Sequence, residues 1–153
     1  MNQNNNNYYN DIFRGIKIAK VFVVDDDRTI VYLFEKLLSA TGHEVIAKAY
    51  DGEQAIKIYR NFQDFPDIVL MDHRMPKKDG LTTIKEILTI NPKCKIVFIS
   101  ADFSAIDQAL EIGVSHYLVK PISIMDLSII INQVISGSRK EESTVVKSQT
   151  FCS

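Results

Sequence analysis

The chain has 153 residues and a net charge of −1, with 46% apolar and 24% charged side chains. That suits one globular domain with a core of its own, and the near-neutral balance, without a basic cluster, excludes the electrostatic footprint of a nucleic-acid binder. Cys94 and Cys152 are far apart and form no C-x-x-C, no run is long enough to span a membrane, and the N-terminus lacks a signal peptide's apolar region, so a cytoplasmic protein with no direct nucleic-acid or membrane partner is expected.

Residues 1–17 open on an asparagine-rich tract too polar to offset its own ordering entropy, and read as a disordered N-terminal tail. Lys20 to Val24 is then a short apolar run of β-branched type, a buried strand that stops at Asp25-Asp26-Asp27. A helix follows with Ile30, Leu33, Phe34 and Leu37 as its apolar face, ended by Gly42, and Asp27 suits its N-cap. Glu44 to Ala49 is a second strand. Asp51-Gly52 turns into a helix on which Ala55, Ile58, Tyr59 and Phe62 keep helical spacing.

The third strand, Ile68 to Met71, is followed by Asp72, and its helix opens at Asp79-Gly80, carries Leu81, Ile84 and Leu88, and ends at Asn91-Pro92. Lys95 to Ser100 is strand four, with Cys94 packing beside it as a small apolar group. A short helix runs from about Ser104 to Ile112, and Ser115 to Val119 is strand five. Lys120-Pro121 makes a turn, and Ser123 with Asp126 starts a last helix that buries Leu127, Ile130, Ile131 and Val134. Residues 18–136 form the domain and 137–153 a polar C-terminal tail. Five strands alternating with five helices call for an α/β fold, a doubly wound parallel sheet with right-handed crossovers and helices on both faces.

In such a sheet the strand ends point to one edge, which gathers Asp25, Asp26, Asp72, Ser100 and Lys120. Three converging carboxylates repel one another and call for a hard cation or an ammonium. All-oxygen ligands without His or Cys favour Mg²⁺, which expects a phosphate to complete its octahedron. A hydroxyl and an ammonium opposite suit the oxygens of a transferring phosphoryl group. The residues thus point to an Mg²⁺-assisted phosphoryl site with a carboxylate nucleophile. His73 and His116 have no ligand-spaced partners and read as exposed loop or strand residues.

Val23-Val24-Asp25-Asp26, Asp72 before Met75-Pro76 and Asp79-Gly80, Ile99-Ser100-Ala101 and Tyr117-Leu118-Val119-Lys120-Pro121 together resemble the response-regulator receiver domain of two-component signalling, in its stand-alone, single-domain form. The likeness runs from about Ala19 to Ser136. It implies a flavodoxin-like sheet of order 2-1-3-4-5 and a phosphoacceptor switch that catalyses only its own phosphorylation and slow dephosphorylation. By the same resemblance, Asp72 accepts a phosphoryl group from a sensor histidine kinase or histidine phosphotransfer protein. Asp25, Asp26, Asp72 and the backbone carbonyl of Arg74 hold Mg²⁺. Ser100 bonds a phosphoryl oxygen, Lys120 pairs with another, and the Lys120–Pro121 bond is cis. Tyr117 is the aromatic switch that follows Ser100, and output passes to a downstream protein effector or a phosphorylation-dependent dimer. One departure stands out: Ser100 to Lys120 is about two residues shorter than usual, and the shortening is expected between Asp102 and Ile112.

Two other functions fit parts of the chain. Asp25-Asp26-Asp27-Arg28-Thr29 spells the D-x-D-x-T of haloacid-dehalogenase-type phosphatases, with Asp25 as nucleophile and Asp27 as general acid. That reading leaves Asp72 without a role, and no acidic pair follows Lys120. A phosphorylation-independent protein-binding module is the other, and the intact set of five key positions argues against it.

Overall fold

The computed structural model describes residues 17–137. Five strands, β1 Lys20–Val24, β2 Glu44–Ala49, β3 Ile68–Asp72, β4 Ile96–Ser100 and β5 His116–Val119, alternate with helices α1 Arg28–Ala40, α2 Gly52–Arg60, α3 Gly80–Ile90, α4 Phe103–Ile112 and α5 Ile124–Ser136. All strand pairs are parallel, and the order across the sheet is β2-β1-β3-β4-β5. The fold is the doubly wound, flavodoxin-like one that the sequence pattern and the resemblance lead to. The tails assigned to residues 1–17 and 137–153, with Cys152, fall almost wholly outside the described residues.

Because successive residues of a strand face opposite sides, the sheet carries two cores. Phe22, Val24, Val69, Met71, Ile96 and Phe98 face α2, α3 and α4, where Tyr59 packs against Phe22, Phe62 and Phe65. Val21, Val23, Ile68, Leu70, Val97 and Ile99 face α1 and α5. Four helices start on side-chain caps, Asp27, Asp51, Asp79 and Asp102, and α5 on the capping box of Ser123 and Asp126, so their first N–H groups are satisfied locally. None of the described helices is long and apolar enough to cross a membrane.

The buried faces of three helices differ from the expected ones. On α1, Val31, Phe34 and Leu38 are buried, while Leu33 is 53% exposed and Ile30 and Leu37 are half-buried. That helix carries two apolar stripes, and the second, Ile30, Leu33 and Leu37, borders a groove, with Ile30 and Leu37 at the margin of the core. On α2, Ile56 joins Ala55 and Tyr59 in the core; Ile58 is half-buried, and Phe62 packs from beyond the Asn61 cap. On α3, Ile84 and Ile87 are buried with Thr83, leaving Leu81 and Leu88 at the margin. On α5, Leu127, Ile130, Ile131 and Val134 are the buried set, as expected.

Cys94 packs at the edge of the first core, and burial pushes its thiol up to about 11. His116, expected to be exposed, is buried with its Nδ1 2.7 Å from the Ser115 hydroxyl. The α4 helix between Asp102 and Gly113 is regular, so the short Ser100-to-Lys120 span leaves no break in it.

Candidate functional site

The strand ends meet as the topology requires. Asp25 follows β1 and is 2% exposed; its backbone N–H donates to the Ala49 carbonyl at 3.1 Å, extending the β1–β2 ladder by one residue. Asp72 is the last residue of β3 and equally buried, and Asp26 lies exposed at the mouth. Carboxylate oxygens of Asp25, Asp26 and Asp72 lie within 4.8 Å of one another. From β5, the Lys120 ammonium donates to Asp72 Oδ1 at 2.5 Å, and the Lys120–Pro121 bond is cis.

Asp25 Oδ1 accepts the Asp27 N–H at 2.9 Å, whereas its buried Oδ2 has no hydrogen-bond partner among the described residues. An unpartnered buried carboxylate oxygen beside two more acids is a site built for a cation. The all-oxygen donor set fits Mg²⁺. Charge bears this out: burial, reinforced by Asp72 and Asp26, raises the Asp25 carboxyl to about 6 against the opposing Asp27 N–H and Lys120. Burial also raises Asp72, with Lys120 opposing and Asp26 adding to the effect. For Lys120 burial pulls the other way, but the Asp72 hydrogen bond and the three carboxylates carry its ammonium above its ordinary range. One ammonium does not neutralise three acids.

The loop between β3 and α3 closes tightly over Asp72. Gly80 N–H donates to the His73 carbonyl at 2.8 Å, and a Cβ at Gly80 would stand 2.1 Å from the Asp72 carbonyl oxygen, so only glycine lets α3 start this close to the strand end. Arg74 is exposed, and its guanidinium reaches to 3.6 Å from Asp102 in the loop after β4.

Ser100, 3% exposed, stands at the end of β4 with its hydroxyl 3.0 Å from His73 Nδ1 and accepting the Asp102 N–H at 3.0 Å. His73 is therefore a half-buried partner of Ser100, not the exposed loop residue expected from sequence. The strand register was the signal available: Asp72 lies opposite Ile99, which puts His73 opposite Ser100. Tyr117 pairs in register with Phe98 and is half-buried against the same core.

Asp27 spends its carboxylate as the α1 cap, accepting from Thr29 N at 2.8 Å, which removes the general acid the phosphatase reading needs. Beside the acids runs a groove of about 910 Å³, lined by Ile30, Leu33 and Leu37 of α1 and by Ile122 and Ile124 after β5.

The family profile described as "Response regulator receiver domain" matches residues 21–132. The chain is 35% identical to the chemotaxis protein CheY of Treponema pallidum over 105 residues, covering 67% of this chain and 73% of that protein. It is 34% identical to the transcriptional regulatory protein CpxR of Klebsiella pneumoniae over 125 residues, 80% of this chain but only 52% of CpxR, so such regulators extend beyond the shared part. Among solved structures, CheY of Borrelia burgdorferi in a CheX-CheY-BeF3-Mg complex superposes with a TM-score of 0.73 at 28% identity, covering 81% of this chain and 93% of that one. A receiver domain protein from Clostridium thermocellum gives the same TM-score at 32% identity, covering 78% and 96%. The buried acids and the lysine at the strand ends, the fold and these likenesses agree: the chain belongs to the response-regulator receiver family, whose business is two-component phosphorelay signalling.

Proposed function

We propose that Asp72 is the phosphoacceptor. An Asp72 carboxylate oxygen attacks the phosphorus of a phosphohistidine, the N–P bond breaks, and the imidazole of the donor leaves with the electron pair. The observation that carries this is the position of Asp72, with Lys120 Nζ 2.5 Å from one oxygen and Asp25 and Asp26 alongside. Lys120 holds the carboxylate in place at rest, and its ammonium would redirect its hydrogen bond to a phosphoryl oxygen as negative charge accumulates there.

Asp25, Asp26 and Asp72, with the Arg74 backbone carbonyl, would hold Mg²⁺, which supplies the positive charge that the acids and the phosphoryl oxygens lack. Ser100 then donates to a phosphoryl oxygen and Tyr117 follows it inward, a two-state change driven by new local charge. The protein is a switch that catalyses only its own phosphorylation and slow dephosphorylation. It works in the cytoplasm without binding nucleic acid directly.

The phosphoryl donor is a sensor histidine kinase or histidine phosphotransfer protein, and the apolar groove that opens beside Asp72 suits a helix face of that donor. Output passes to a protein effector or a second copy of the chain through exposed Met125 and Ile129, which lie four residues apart on α5 and off its buried face.

Incubation with acetyl phosphate and Mg²⁺ tests the assignment. One acid-anhydride phosphoryl group per chain is expected, lost in Asp72→Asn. Labelling that survives Asp72→Asn and disappears in Asp25→Asn would hand the role to Asp25 and restore the phosphatase reading. Chelation abolishes labelling in both cases and does not discriminate.

A further inference from the structure

Residues paired across parallel strands project to the same face, and alternation separates the two sides of this sheet. Asp72 follows the parity of Ile68 and Leu70, so it belongs with the α1 and α5 side, where the groove opens. Ser100 follows Ile96 and Phe98, and His73 follows Val69 and Met71, so both belong with the opposite side. The His73 ring lies 5.5 Å from the Phe98 ring, its backbone N–H donates to the Ile99 carbonyl at 3.0 Å, and its Nδ1 meets the Ser100 hydroxyl at 3.0 Å.

A serine hydroxyl has one hydrogen and two acceptor sites. The Asp102 N–H occupies one acceptor site. His73 Nδ1 then takes either the hydroxyl hydrogen or the second acceptor site, depending on the ring tautomer, and in both cases it fixes the side chain's rotamer. To donate to a phosphoryl oxygen on Asp72, the hydroxyl has to turn from the His73 side of the sheet to the Asp72 side, and where Nδ1 holds its hydrogen it has to give up that bond as well.

We infer that His73 is a positioning residue, a latch that holds the Ser100 hydroxyl on the side of the sheet away from Asp72 in the resting protein. The inference rests on the phosphoacceptor reading of Asp72 and deepens it by naming what opposes the switch. Release of the latch is part of every activation event, so its strength sets how far the resting state is favoured. Tyr117, paired in register with Phe98, belongs to the same side of the sheet as Ser100.

Beryllofluoride, which stands in for the phosphoryl group of an acyl phosphate, reads the switch without turnover. Its affinity in the presence of Mg²⁺ is measured by titration calorimetry for wild type, His73→Phe, His73→Asn, Ser100→Ala and the His73→Phe/Ser100→Ala pair. Phenylalanine keeps a ring beside Phe98 and removes Nδ1; asparagine returns an amide near the Nδ1 position. His73→Phe is expected to tighten binding about threefold to tenfold, the ratio one net hydrogen bond is worth. His73→Asn restores wild-type affinity, and the Phe substitution has no effect in the Ser100→Ala background. Unchanged or weaker binding in His73→Phe, or equal tightening without the Ser100 hydroxyl, overturns the latch while leaving the phosphoacceptor reading intact. A wild-type protein that does not bind beryllofluoride overturns both. The ¹⁵N shift of His73 Nδ1 reads the same bond in the unaltered chain. It moves on adding beryllofluoride toward its value in Ser100→Ala if the latch opens, and an unmoved resonance overturns the proposal.

Discussion

The Arg74 guanidinium stands 3.6 Å from the Asp102 carboxylate, closing an ion pair between the loop that follows Asp72 and the loop that follows Ser100. Both side chains reach solvent, so the pair adds little to stability. Its position matters more: on the proposal that Asp72 carries the phosphoryl group, a pair joining the loops after Asp72 and Ser100 would hinder the water that hydrolyses it. A hindered water changes the barrier directly, and about 1.4 kcal/mol is a tenfold change in rate. Arg74→Ala and Asp102→Ala should each speed the decay of phospho-Asp72, and the double mutant should decay no faster than the singles. Additive effects, or none, in a chemical-quench time course would show that the two residues act separately.

The acid cluster makes the metal-free protein less stable as it ionises. The Asp25 carboxyl titrates at about 6 in the fold against 3.8 as its ordinary value, so between those pH values the folded state holds the extra proton. Its contribution to stability is therefore greatest below about pH 4 and declines as pH rises through about 6. Asp72, also raised by burial, runs the same way. Asp25→Asn should stabilise the chelator-treated protein at neutral pH by about 1–2 kcal/mol after screening by solvent, and change little near pH 4. Mg²⁺ should raise the melting temperature of wild type at neutral pH and leave Asp25→Asn unmoved. Thermal melts with chelator or Mg²⁺ check both. A metal response of equal size in the two proteins would refute the assignment of Asp25.

Gly80 and Gly52 allow two different close approaches. An added Cβ would meet the Asp72 carbonyl at the first, and Thr83 Oγ1 at 2.3 Å and the Lys78 carbonyl at 2.4 Å at the second. Each glycine-to-alanine change should destabilise by about 1–3 kcal/mol through overpacking, read as a lower urea midpoint. Gly80→Ala alone should also slow labelling by acetyl phosphate, because it displaces the strand end that carries Asp72. Equal labelling rates in the two variants would show that the backbone at Asp72 is not held from this side.

Met125 is 71% and Ile129 45% exposed on α5, and neighbouring Ile124 is 71% exposed. Ile129→Glu should leave labelling of Asp72 unchanged and abolish the association that beryllofluoride induces, whether with an effector or with a second chain. Sedimentation at several concentrations reads the second-chain case. Association in the variant that matches wild type would assign the output to another surface.

The site was legible in the sequence where chain direction alone decides geometry. An apolar run stops at Asp25 and another at Asp72, and Lys120 follows a third; parallel topology then forces those ends together. What sequence did not reveal depends on register or on which of two stripes a helix buries. His73 lies one residue past an apolar run, and its bond to Ser100 follows only from the alignment of β3 with β4. Leu33 fits a helical period as well as Leu38 does, yet α1 turns Leu38 inward and leaves Leu33 beside the groove. Periodicity counts apolar residues and does not record whether the neighbouring surface is a core or a cleft.

The parity of the strand ends has a consequence for traffic through the protein. Asp72 opens toward α1 and α5, while Ser100, His73 and Tyr117 belong to the layer beneath α3 and α4. On the proposal that Asp72 takes the phosphoryl group, charge would be loaded from one face of the sheet edge and read by groups anchored on the other. A donor seated in the groove would then leave the far face uncovered, and loading would not have to end before reading begins.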